Sequence, residues 1–155
     1  MQSRERYFVF PSQSIHDIPK DVENLYFCGY GNEEEDLTVL DFSSFGFTHL
    51  RSITIGNECF ENVRLFVLDG LDNLESVEIG KWCFVVSGND SEEEEEEHDD
   101  GICRITNCPN LTQLKIGNAS FGDFNQFELS NVNSLKSITF GDYCFIYADC
   151  ILKGE

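Results

Sequence analysis

Hydrophobic and polar positions recur along this chain at a fixed spacing. Four segments superimpose: LRSITIGNECF from Leu50, LESVEIGKWCF from Leu74, LTQLKIGNASF from Leu111 and LKSITFGDYCF from Leu135. The first and second start 24 residues apart, as do the third and fourth. The second and third start 37 apart, which is one 24-residue unit carrying 13 extra residues. Within a unit the apolar positions are 1, 4, 6, 11, 14, 17, 19 and 22. Positions 4 and 6 alternate with polar neighbours, a period of two that predicts a strand with one buried face. Positions 17 and 19 predict a second short strand. Position 11 is Phe in all four units (Phe60, Phe84, Phe121, Phe145) and position 7 is Gly (Gly56, Gly80, Gly117, Gly141). The glycine marks a turn expected to need positive φ.

One such unit cannot bury its own apolar face. Stacked copies can, with like residues over like and parallel strands about 4.8 Å apart. The expectation is therefore a mostly β fold with few or no helices: a solenoid of about four 24-residue coils, with the position-11 phenylalanines forming an aromatic spine. Residues 1–30 read as an N-terminal cap piece and residues 31–155 as the coils. Residues 22–49 match the unit only loosely. At the other end, Cys150-Ile-Leu152 falls about one residue away from positions 17 to 19. No cap follows it, so the expectation is a truncated array, with a covering partner as the alternative.

The pattern L-x-x-I-x-I-G-x-x-C-F resembles the leucine-rich-repeat frame, and IGNECF, IGKWCF, IGNASF and FGDYCF resemble its BspA-like subtype. The resemblance covers Leu50 to about Lys153. It departs at the ladder asparagine expected near position 9 or 10, where this chain has Cys59, Cys83, Ser120 and Cys144. A small polar or thiol side chain there still reaches turn amides, more weakly than Asn. What the resemblance implies is a protein- or surface-recognition module.

Charge changes the picture only locally. The net charge is −19, but Glu33–Asp36 holds 4 acidic groups and Asp90–Asp100 holds 9. Without those 13, −19 becomes −6, ordinary for a soluble domain. No basic face is visible, which argues against nucleic acid. The insert, residues 87–101, is like-charged and low in complexity, and is expected to be a disordered edge loop. It lacks the spaced oxygens and Gly turn of a calcium loop. Simple charge attraction would make a partner basic. No apolar run approaches the roughly 20 residues of a membrane span. The four apolar or aromatic residues before Pro11 fall short of the ~7–15 of a secretory signal, so a cytoplasmic protein without membrane insertion is expected.

Candidate chemistry is sparse. There are seven cysteines. Cys59, Cys83 and Cys144 share one column, while Cys103 and Cys108 occupy apolar positions, so they read as small buried hydrophobes. Zinc needs four ligands converging as a tetrahedron, which parallel thiols do not provide, so neither a metal nor a cofactor is expected. His16, His49 and His98 stand apart from any nucleophile motif. The chain therefore reads as a non-enzyme. The better candidate is the open strand face. Its outward rows are Ser52, Ser76, Gln113 and Ser137 at position 3, and Thr54, Glu78, Lys115 and Thr139 at position 5. They contain no aromatic or arginine anchor. Three functional expectations follow: a scaffold or recognition module that binds an unidentified protein, a structural spacer of a longer repeat protein, or an adhesin-like surface segment. Self-association through the uncapped C-terminal coil is a further open contact.

Overall fold

The computed structural model describes residues 6–11, 14–30, 37–85, 101–122, 124–145 and 149–153. Eleven strands lie among them: β1 (Tyr7–Val9), β2 (Asn24–Phe27), β3 (Val39–Asp41), β4 (Ser52–Ile55), β5 (Leu65–Asp69), β6 (Ser76–Ile79), β7 (Gly101–Thr106), β8 (Gln113–Ile116), β9 (Phe124–Ser130), β10 (Ser137–Phe140) and β11 (Asp149–Lys153). Helical structure among the described residues is two short 3-10 turns, Ile15–Asp17 and Phe42–Ser44. None of the described helices is long and apolar enough to cross a membrane. The fold is mostly β, in two parallel sheets. Sheet A runs β1-β2-β4-β6-β8-β10 and sheet B runs β11-β9-β7-β5-β3. From β2 to β11 the chain places one strand of each unit in sheet A or B, with β2 and β3 forming the first such pair.

The register follows the sequence unit. Ile53, Val77 and Leu114 lie side by side at position 4, and Ile55, Ile79 and Ile116 at position 6. All six are buried, while their neighbours along each strand point outward, as strand alternation requires. In sheet B, Phe66 pairs with Cys103 and Cys103 with Phe127, again like position against like. The expected spine forms between the sheets. Phe60 and Phe84 stack at 5.4 Å, Phe84 and Phe121 at 4.4 Å, and Phe121 and Phe145 at 4.9 Å, with planes within 15°. Phe60 meets Phe27 of sheet A at 5.1 Å and Phe84 meets Phe66 of sheet B at 4.8 Å, so the column joins both sheets into one core.

The corner after sheet A departs from expectation. The position-7 glycines are not the residues with positive φ; Gly29, Gly46 and Gly70 are. Position 7 needs glycine because neighbouring turns crowd together. A Cβ on Gly117 would sit 2.7 Å from the carbonyl of Gly80, and one on Gly141 would strike the Asn118 side chain. Positive φ falls instead on position 9 (Glu58, Trp82, Ala119, Tyr143) and on the phenylalanines of position 11. Left-handed backbone at a bulky residue costs of order 1–3 kcal/mol. Here the ladder enforces it: Phe84 N–H donates to Cys59 O and Phe121 N–H to Cys83 O, both at 3.0 Å. The next corner uses residue types suited to this conformation, Gly70, Asn107 and Asn131.

The position-10 side chains work as turn ladders. The Cys83 thiol donates to Gly56 O at 3.0 Å, Ser120 Oγ to Gly80 O at 2.7 Å, and the Cys144 thiol to Gly117 O at 3.1 Å. Each reaches the position-7 carbonyl of the preceding unit. Asparagine ladders exist as well, at other positions. Asn57 and Asn118 accept from the N–H of Lys81 and Asp142, and Asn73 and Asn110 donate to Thr48 O and Asp72 O.

Regular packing begins earlier than residue 31. β2 pairs in register with β4, Leu25 against Ile53 and Phe27 against Ile55, so Val22 occupies position 1 of a unit ahead of Leu50. β1 adds a further strand at the edge of sheet A, with Val9 against Phe27. Ile15 of the first 3-10 turn and Ile18, which caps it, are buried as well. Gly101 is not part of the loop but the first residue of β7. Its missing side chain makes room for Phe124, whose ring would lie 2.6 Å from a Cβ there. Residues 87–100 of the expected disordered insert, and His98 within it, lie outside the described residues. In the last unit Cys150 pairs with Phe127 and Leu152 with Leu129, which absorbs the one-residue displacement. Ile138, Phe140 and Leu152 in this unit are exposed.

Candidate binding face

The two rows expected on the open strand face lie side by side on sheet A. Ser52, Ser76, Gln113 and Ser137 are register neighbours, as are Thr54, Glu78, Lys115 and Thr139. The pairing of β2 extends them by Asn24 and Tyr26. β1 then adds Phe8, whose ring stacks on Tyr26 at 5.0 Å and on Phe10 at 6.2 Å. Arg6 lines the same shallow groove of about 730 Å³ as Tyr26, Thr54 and Glu78. The face therefore does end on aromatic and arginine anchors, contrary to the expectation from the repeat alone. Phe8 and Phe10 are exposed at 40% and 50%, which leaves an aromatic patch at this end of the face.

The polar side chains of this face are mostly uncommitted. Ser52 Oγ donates to Asn24 Oδ1 at 2.7 Å. Glu78 and Lys115 are adjacent in register, yet the ion pairs among the described residues are Arg51–Glu75 and Arg104–Glu128. Hydroxyl, amide, carboxylate and ammonium groups are thus presented together, free to meet a partner. Chemically the face can donate and accept hydrogen bonds and stack on a planar group.

Sheet B's outward face holds a smaller groove of about 490 Å³. Its polar groups satisfy one another. Thr106 Oγ1 and Asn107 Nδ2 donate to Asp69 Oδ1 at 2.7 and 2.9 Å, and Asn131 Nδ2 to Asn107 Oδ1 at 2.8 Å. Arg104 Nε reaches Glu128 Oε1 at 3.1 Å, and Ser130 Oγ donates to Glu128 Oε2.

Cys59, Cys83, Cys103 and Cys108 are buried. Burial pushes the Cys103 and Cys108 thiols up, the latter to about 11. Cys59 is held down, to about 7, chiefly by hydrogen bonding with the Cys83 thiol and also by backbone groups including Tyr30. Cys83 moves the opposite way, through that same bond and burial. His16 meets the edge of the Phe45 ring, and His49 Nδ1 lies 2.8 Å from the Thr48 hydroxyl on an exposed turn. Among the described residues, no group of three or more His, Cys, Asp or Glu side chains converges on a common point.

The sequence pattern missed Arg6, Phe8 and Phe10. The signal was there: they alternate with Tyr7 and Val9, but five consecutive aromatic, apolar or basic residues mask a period of two. No protein-family model, curated protein or solved structure matches the chain.

Proposed function

We propose that the chain is a leucine-rich-repeat solenoid, BspA-like in its units, and a non-catalytic recognition module that binds a protein through the outward face of sheet A. The observation that carries this reading is the row of uncommitted polar groups ending on Arg6, Phe8 and Tyr26. Interfaces concentrate their energy in aromatic and arginine residues surrounded by milder contacts, and this face has that composition. Extended strand faces are also the surfaces that repeat proteins use for binding. The occupant is a protein segment lying across the strands, from the aromatic end toward Lys115.

The test is selection of binders from a displayed peptide library against the native chain. The enriched binders are then measured on two variants. One carries Tyr26→Ala, Glu78→Ala, Gln113→Ala and Lys115→Ala. The other carries Asp41→Ala and Arg104→Ala on sheet B. Binders weakened at least about tenfold on the first and kept on the second support the reading, since tenfold is about 1.4 kcal/mol. Binders that do not distinguish the two variants overturn it. The alternative is a structural spacer, favoured by the small Ser and Thr side chains that fill three places of the first row of four and two of the second. It predicts that selection enriches nothing on this face.

A further inference from the structure

The corner after sheet A carries a second surface, independent of the proposed binding face. Position 9 forms a column held by backbone hydrogen bonds: Glu58 N–H to Lys81 O at 2.8 Å, Trp82 N–H to Asn118 O at 2.9 Å and Ala119 N–H to Asp142 O at 2.8 Å. All four position-9 residues have positive φ. Trp82 and Tyr143 are 56% and 70% exposed, whereas Ala119 between them is 9% exposed. Two bare aromatic side chains thus flank one methyl group, two strand spacings or about 10 Å apart. Neither ring is covered by another aromatic ring among the described residues. Trp and Tyr are the side chains that most often dominate interface energy.

The surrounding charge selects the ligand. Glu58 shares the column, Asp142 precedes Tyr143 and Glu61 follows the turn, while Lys81 precedes Trp82. The net charge of −19, nine carboxylates of which fall between Asp90 and Asp100, adds a negative field over the chain as a whole. An anion is repelled here, and a neutral apolar group gains nothing from the charge. A guanidinium gains from both features, because it lies flat on aromatic faces and pairs with carboxylates.

We propose that the notch formed by Trp82, Ala119 and Tyr143 binds arginine side chains of a basic peptide. Trp82 is the only tryptophan in the chain, so its emission reads the notch directly. The full chain is titrated with nona-arginine and with a citrulline peptide of equal length. A saturable change in Trp82 emission is expected with arginine, and none with citrulline. Tyr143→Ala weakens binding about fivefold, and so does Trp82→Ala when followed by the anisotropy of labelled nona-arginine. Both side chains are exposed, and circular dichroism confirms that the variants fold. Replacing the acidic residues 90–100 with Ser and Gly lowers affinity for native and Tyr143→Ala chains by the same factor. Equal affinity in the native, Trp82→Ala and Tyr143→Ala chains overturns the proposal, as does binding that disappears only with the acidic run. The four-residue sheet A variant keeps nona-arginine binding; loss there overturns the notch without touching the sheet A reading.

Discussion

The two outward faces are built from the same repeat, yet they use polar side chains in opposite ways. On sheet B, Asp69, Thr106, Asn107 and Asn131 form a closed set of hydrogen bonds, and Arg104 is held by Glu128. On sheet A, Glu78 and Lys115 lie side by side without pairing, in the row that runs through Thr54 to half-exposed Tyr26 and exposed Phe8. A polar group already bonded to its neighbour contributes to the fold. A polar group left to water contributes little to stability, and gives up only water when a partner arrives. The contrast leaves sheet B with a bonded polar network and sheet A with groups open to the partner proposed above.

The contrast can be broken in several ways, the largest first. Phe84 belongs to neither face and sits in the column between the sheets, stacking on Phe60 and Phe121 and meeting Phe66 of sheet B. Phe84→Ala is expected to cost about 3–5 kcal/mol in chemical denaturation and to weaken both faces together. Survival of one sheet, read by hydrogen exchange, would mean that the faces belong to separable halves. Next, Asp69→Ala strands the Thr106 hydroxyl, which is 7% exposed, and is expected to cost about 1–3 kcal/mol. Glu78→Ala on sheet A should stay within about 0.5 kcal/mol of the native chain. Equal costs for these two substitutions would erase the distinction. A double-mutant cycle on Arg104 and Glu128, partly exposed on sheet B, should return a coupling of about 0.2–1 kcal/mol. The same cycle on Glu78 and Lys115 should return almost none.

A pH-dependent effect lies at the corner between the faces. The Cys59 thiol is held below its ordinary value, to about 7, by the Cys83 thiol. Between pH 7 and the ordinary thiol value of 9.0, the unfolded chain then carries more protons at this site than the folded one. Stability from Cys59 is therefore present above pH 9 and lost as pH falls through 7. The native chain should gain stability over Cys83→Ala between pH 7 and 9, measured as a shift in denaturation midpoint. A flat difference would mean that the two thiols do not communicate.

Much of this architecture was legible in the sequence because the repeat writes each buried position several times. Leu50, Ile53, Ile55 and Phe60 announce the same places as Leu111, Leu114, Ile116 and Phe121, and all eight are buried. The rows from Ser52 to Thr139 followed from the same alternation. What escaped was set by contacts between units rather than by pattern within one. Nothing in IGKWCF says that Trp82 and Phe84 take the left-handed conformation, because the ladder to neighbouring turns imposes it. The position-7 glycines looked like conformational switches, but they answer to the backbone and Asn side chains of adjacent turns. β2 was hidden because VENLYF shares only its spacing with the later units, and Arg6 and Phe8 because β1 has no matching unit to compare with.

The chain leaves the corner at Val85 and rejoins sheet B at Gly101, where the register between Gly101 and Ile102 shifts by a bulge. The register of β7 is held by its partners in β5 and β9, so it does not depend on the length of chain between Val85 and Gly101. Doubling such a segment costs only about 0.6 kcal/mol in closure entropy. The corner is thus a permissive graft point: a foreign epitope or a second domain spliced between Val85 and Gly101 would be carried at a fixed height on the stack, three residues beyond Trp82, with the scaffold left in place.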